Sequence, residues 1–212
     1  PACTKIGLNV LLSGETISSW PSGILAAPAT SWACLAASWS WIWLSNSIFF
    51  VSRSPNVLLN IFKRELVNEH PNLKPITFAI PTPKLSQPNK NKTQEYATCI
   101  PGQPETYIFK EEQPYYEDYQ KSYYGVTMKK AGWDCMRHYE ILGNYCIPYF
   151  TDLEDCPKDT LSSFPKELLL EAKELANNFD EQKYYVILDK IFEHTKQHLT
   201  TKSLAKYILS HV

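Results

Sequence analysis

Residues 122–157, SYYGVTMKKAGWDCMRHYEILGNYCIPYFTDLEDCP, place a strand pattern, a helix pattern and a second strand pattern in one short run. Tyr123 to Met128 is rich in β-formers and ends at Lys129, Lys130 and the turn-forming Gly132, so a strand stops there. Asp134 is the expected N-cap of a helix in which Met136, Tyr139 and Leu142 recur at helical spacing, while Arg137 and Glu140 share another face. Gly143 and Asn144 supply the stop signals, and Cys146 to Phe150 is a short apolar strand interrupted by Pro148. In a parallel sheet, strand, helix, strand is a right-handed crossover. The expected fold class is α/β, a Rossmann-like parallel sheet with flanking helices.

Such a unit puts the loop after its first strand and the N-terminus of its helix at the carboxyl edge of the sheet, where ligands of open α/β folds sit. Backbone N–H groups and the helix dipole favour phosphate there, and Lys129, Lys130 and Arg137 add full charges. Glu140, about one turn deeper, is an acceptor-only carboxylate suited to a pair of sugar hydroxyls. A diphosphate beside a ribose asks for that order of charge. His138 is a candidate base, set against the commoner role of a helical histidine as a packed or surface residue. Trp133 is either a stacking platform for a base or sugar, or a core plug beneath the loop. Asp152, Glu154 and Asp155 form an acidic loop, solvated by default.

The string RHYEILGNYCIPYF, preceded by KKAGWDCM, resembles the donor-binding signature of GT-B glycosyltransferases, most closely the exostosin-like branch. The likeness covers roughly residues 75 to 178, with its specific part in 122–157. Arg137, Glu140 and Cys146-Ile147-Pro148 match the family pattern in type and spacing. The resemblance implies that Glu140 holds the ribose and that Arg137 and a lysine face the diphosphate. It also implies transfer of a sugar from a nucleotide-diphosphate sugar to a hydroxyl of a glycan or protein acceptor, with cationic stabilisation of the departing diphosphate in place of a metal. The donor is a substrate, and no cofactor is expected. One departure stands out: the family has glycine just before the Cys-Ile-Pro strand, where this chain has Tyr145. Glycine there lets backbone approach a ligand, so a tyrosine is expected to narrow the pocket or to mark a lost activity.

Across 212 residues, 44% apolar and 20% charged side chains with a net charge of −1 suit a folded chain of one or two domains. Basic residues are scattered, so nucleic acid is not an expected partner. No Walker loop, GxGxxG, GxSxG or HExxH occurs, which argues against kinase, dehydrogenase, hydrolase and metalloprotease chemistry. The cysteines (3, 34, 99, 135, 146, 156) form no CxxC pair. Cys135 and His138 have a metal-like local spacing without companions, so no zinc site is expected.

Composition breaks near residue 53. Residues 1–52 hold two charged side chains, Lys5 and Glu15, where about thirteen are expected from ordinary usage. Five of the six tryptophans lie there as well. Residues 32–51 are charge-free and of membrane-spanning length, which allows an anchor; Arg53, Lys63 and Arg64 would then favour a cytoplasmic C-terminal part. Mid-segment tryptophans and diluting serines oppose that. Two other readings are a remnant of a truncated domain and out-of-frame sequence without a period of 2 or 3.6. The segment is too short for the second Rossmann-like domain of a complete GT-B enzyme, so a fragment or degenerate product is expected. Two further readings stay open: a nonenzymatic nucleotide- or glycan-binding module, and a membrane-tethered interaction protein.

Residues 54–212 are expected to form one domain. An amphipathic helix is expected over Val57–Glu69, a strand over Pro75–Ile80, a linker over Pro81–Thr93 and a strand over Tyr96–Ile100. Helices follow over Glu111–Lys121, from Pro165 with the stripe Leu168, Ala172, Leu175 and Ala176, at about 181–198 and at 202–210. Tyr115, Tyr116 and Tyr119 are either core or flank a bound base or sugar.

Overall fold

The computed structural model describes residues 39–44, 47–52, 61–68 and 71–211. The remnant and out-of-frame readings of residues 1–53 fall largely outside them. So do residues 32–38 and 45–46 of the expected membrane segment and residues 57–60 and 69 of the first expected helix.

The fold is mixed α/β, with two small sheets and flanking helices. The first sheet has the order β1 (Trp39–Leu44), β2 (Ser47–Ser52), β3 (Ile61–Lys63), β4 (Leu73–Pro75). β1–β2 and β2–β3 are antiparallel and β3–β4 is parallel. Thus β2, from the low-charge segment, pairs with β3 from beyond it, with Ile48 opposite Phe62. The described part of the 32–51 stretch is strand, and among the described residues no helix is long and apolar enough to cross a membrane.

The helix expected over 57–69 is overturned where the chain is described. Ile61–Lys63 is a strand, its Phe62 wholly buried beside Ile76 and Ile208, and Glu65 has φ 52°, a left-handed conformation that no helix interior tolerates. Sheet partners distant in sequence override the helical period here. The strand expected over 75–80 is overturned as well, sharing only Pro75 with β4 (Leu73–Pro75). β4 ends at Pro75, the Phe78 N–H goes to the Asp134 carboxylate at 2.8 Å, and Ile80 alone bridges, to Thr200.

The second sheet is parallel, in the order β5 (Gln94–Tyr96), β6 (Ser122–Thr127), β7 (Ile147–Phe150). β5 starts two residues before the strand expected at Tyr96 and stops as Thr98 turns its N–H to the Asp118 carboxylate at 2.7 Å. Helices α1 (Glu112–Gln120) and α2 (Met136–Gly143) are the crossovers, as their strand neighbours predict. Gly125 admits α2 onto β6, since a Cβ there would lie 3.0 Å from three Ile141 carbons. Behind the sheet stand α3 (Lys166–Leu175), α4 (Glu181–His198) and α5 (Thr201–Leu209). The four α4 residues at helical spacing, Tyr184, Leu188, Ile191 and Phe192, are all buried. In α3 the expected stripe meets the core, with Ala172 buried and Leu168, Leu175 and Ala176 half-buried against it, and Leu169, outside that stripe, is buried beside them.

Candidate functional site

The N-terminus of α2 lies at the carboxyl edge of the parallel sheet, where β6 ends and Thr151, just past β7, donates its N–H to Thr127 O at 3.2 Å. Its N-cap is Cys135, without a side-chain cap, and not the expected Asp134. Asp134 is buried and committed elsewhere, accepting from Phe78 N–H and from Tyr139 O–H, both at 2.8 Å. Burial pushes its carboxyl up to about 6, against those bonds and Arg64. Cys135 Sγ sits beside the amides of His138 and Arg137, so a thiol occupies the mouth of this helix.

Arg137 and Glu140 both face α1 and the chain leading into it. The Arg137 guanidinium lies 5.4 Å from the Tyr107 ring centre, and its Nη1 is buried with no hydrogen-bond partner. Burial works against its charge, but the hydrogen bond of Tyr107 and the tyrosines 119 and 115 hold its pKa above the ordinary value. Glu140 Oε2 accepts from Tyr115 O–H at 3.1 Å, and Tyr115 accepts from Tyr119 O–H at 2.9 Å. Burial raises the Glu140 carboxyl, opposed by Tyr115 and Arg137. The structure therefore joins a guanidinium and a carboxylate over a tyrosine bed.

The other expected residues divide. Lys130 is exposed, and its charge acts with the Arg137 bond to lower the Tyr107 phenol, so it stands on the same side as Arg137. Lys129 turns to the β7 loop, its N–H held by Asp152 at 3.0 Å and its ammonium 5.3 Å from the Trp133 ring. His138 is wholly buried. Its Nε2 lies 2.7 Å from Trp133 O and so carries the hydrogen, its Nδ1 takes Thr127 O–H at 2.9 Å, and the ring packs 4.6 Å from Phe150. Burial lowers its pKa to about 4, leaving a neutral core imidazole with both nitrogens engaged. Trp133, 5% exposed, is the core plug of its two expected roles. In the acidic loop Glu154 pairs with Lys173 at 2.7 Å. Among the described residues no group of three or more metal-ligating side chains assembles.

Tyr145 does not narrow this site. Asn144 ends α2, and Tyr145, at φ 53°, takes the left-handed position after it. Cys146 N–H bonds back to Ile141 O and Tyr145 N–H to Leu142 O, the two bonds of a Schellman turn. Glycine suits that position for its backbone. The tyrosine ring is buried against Phe192 of α4, with its hydroxyl donating to Asp189.

Tyr107 carried no sequence signal beyond its place after the Gly102–Pro104 turn, yet it is the residue that touches Arg137. Two clefts, of about 440 and 400 Å³, lie elsewhere, and none of the five expected site residues lines either. No protein-family model, no curated protein and no solved structure matches this chain.

Proposed function

We propose that the face shared by α1 and α2 binds the diphosphate and ribose of a nucleotide sugar, and that the chain is a glycosyltransferase-like donor-binding unit of the exostosin type. The observation that carries this reading is Arg137 Nη1, a buried cationic donor without a partner, one helical turn from a carboxylate that still has an oxygen to offer. An unsatisfied buried donor costs about 1–3 kcal/mol, more when charged, and a phosphate oxygen would remove that cost. Glu140 then accepts from sugar hydroxyls, and Lys130 adds charge from the rim. Tyr115 and Tyr107 supply ring faces beside them. In the transfer reaction Arg137 would stabilise the departing diphosphate. The base for the acceptor is not His138, whose nitrogens are both engaged inside the core. That favours donor binding as the primary property, with a nonenzymatic nucleotide- or glycan-binding module as the second reading.

Calorimetric titration of UDP and GDP sugars tests this on the wild type and on the Arg137→Ala and Glu140→Ala variants. Wild type should bind, and each variant should lose roughly tenfold or more, the worth of one charge-assisted hydrogen bond. Equal weak heats for all three proteins would end the donor-site reading. Binding without sugar release to any hydroxyl acceptor would leave the binding module.

A further inference from the structure

The last turn of α4 carries His194 and His198, whose ring centres lie 4.5 Å apart with planes tilted by 41°. Residues four apart share one helix face, and a pair of imidazoles at that spacing can grip one metal ion. His194 Nε2 lies 2.7 Å from Ser163 O. A carbonyl only accepts, so Nε2 carries the hydrogen, and in the neutral ring Nδ1 keeps its lone pair. An outer ring N–H fixed on a backbone carbonyl is the arrangement that orients metal-ligating histidines.

Both rings line the 440 Å³ cleft, whose wall also carries the hydroxyl residues Ser162, Ser163 and Ser203. The helix ends here, and its last carbonyls carry the negative pole of the macrodipole, a field that favours a cation. The one formal charge on the wall is Lys206, an exposed side chain free to turn to solvent. We propose that His194 and His198 form a two-histidine clamp for a borderline divalent transition-metal ion, of the kind that imidazole prefers. The remaining coordination positions open to water or to an oxygen ligand in the cleft. This clamp is independent of Arg137 and Glu140.

The test is a titration of NiCl2 into the full chain, followed by the imidazole proton resonances and by calorimetry. Of the five histidines, those of His194 and His198 should broaden first, at substoichiometric metal. His198→Gln changes an exposed residue, so its thermal midpoint without metal should match the wild type. Its metal affinity should fall at least about tenfold, because losing a ligand exceeds the loss of an outer-sphere partner. His194→Gln should lose metal affinity alike, from a lower midpoint of its own because the Ser163 bond goes with the ring. Saturating metal should raise the midpoint of the wild type and leave that of either variant in place. Equal affinity in wild type and His198→Gln, or broadening that begins at another histidine, would overturn the clamp and leave the pair as a complement to the helix dipole.

Discussion

His138 shows at the scale of one residue how a chemically attractive side chain can serve the core. An imidazole on the helix that carries Arg137 and Glu140 was a candidate base, but Thr127 and Trp133 close on both nitrogens from β6 and from the turn before α2. Neither partner is visible in helical periodicity, because the Thr127 bond depends on how α2 lies on the sheet and the Trp133 bond on the path of the turn before it. The consequence is measurable. The folded pKa of about 4 lies below the ordinary histidine value of about 6.5, so the folded state rejects a proton that the unfolded chain accepts. Stability from this group is complete above pH 6.5 and drains away as pH falls toward 4, by on the order of 2–3 kcal/mol. Urea unfolding of the wild type and of His138→Gln between pH 7 and 4 should show the wild type losing that amount relative to the variant, which is the weaker of the two at neutral pH through lost packing. Parallel acid limbs would refute the assignment. Arg137 and Glu140 are the converse case: their three-residue spacing put them on one face in the sequence, and the structure keeps them there.

At the scale of elements, the strands and helices built from local pattern were legible. β6, α2 and β7 form as a unit because apolar periodicity, the Gly143–Asn144 stop and the strand formers agree. Residues 61–63 and 76–80 were not legible, since their backbone bonds run to β2, Asp134 and the α4–α5 junction. The turn after α2 lies between these cases. Its special backbone was marked by the glycine that the resembled pattern has there, but its purpose, a helix cap, could not be told from a ligand approach without the Schellman bonds. Two substitutions separate backbone from ring. Tyr145→Gly and Tyr145→Ala both remove the ring on Phe192 and the Asp189 bond, a loss of about 3–5 kcal/mol by analogy with other buried aromatics. Only the glycine also relieves left-handed strain, worth about 1 kcal/mol. Chemical denaturation should therefore rank wild type above Tyr145→Gly, and that above Tyr145→Ala. Alanine equal to or better than glycine would remove the cap explanation. Lys92 braces the same corner, its ammonium donating to Gln120 O and Tyr145 O at the exits of α1 and α2, and burial lowers its pKa to about 8.

Across the whole molecule, the first sheet is fastened to the rest by the apolar cluster of Phe62, Ile76 and Ile208 and, where its third strand exits, by a small polar junction. Glu65 accepts from Asp134 N–H at 2.8 Å, Thr160 O–H bonds to Leu66 O at 3.1 Å, and Arg64 lies 4.0 Å from the Asp134 carboxylate and 3.9 Å from the centre of the Phe78 ring. Gly132 belongs to this junction, because a Cβ there would stand 2.8 Å from the Glu65 carboxylate. A loop with the look of a ligand cradle is thus spent partly on docking. Asp134 sits at the junction in an environment that resists its charge, with a folded pKa of about 6 against about 3.9 in the unfolded chain. The sign is opposite to that of His138: the folded state holds the proton more tightly, so the stabilisation is complete below about pH 4 and is lost as pH rises through 6. Asp134→Asn removes this titration while keeping a carbonyl acceptor for Phe78 or Tyr139. Its stability relative to wild type should therefore climb between pH 4 and pH 7, by on the order of 2–3 kcal/mol at most. A double variant with His138→Gln should show neither slope, because both titrating groups are gone, whereas in the wild type their opposite slopes overlap and largely offset. If the Asp134→Asn difference is flat across that range, the carboxylate is ionised without penalty and burial in the junction does not hold its proton.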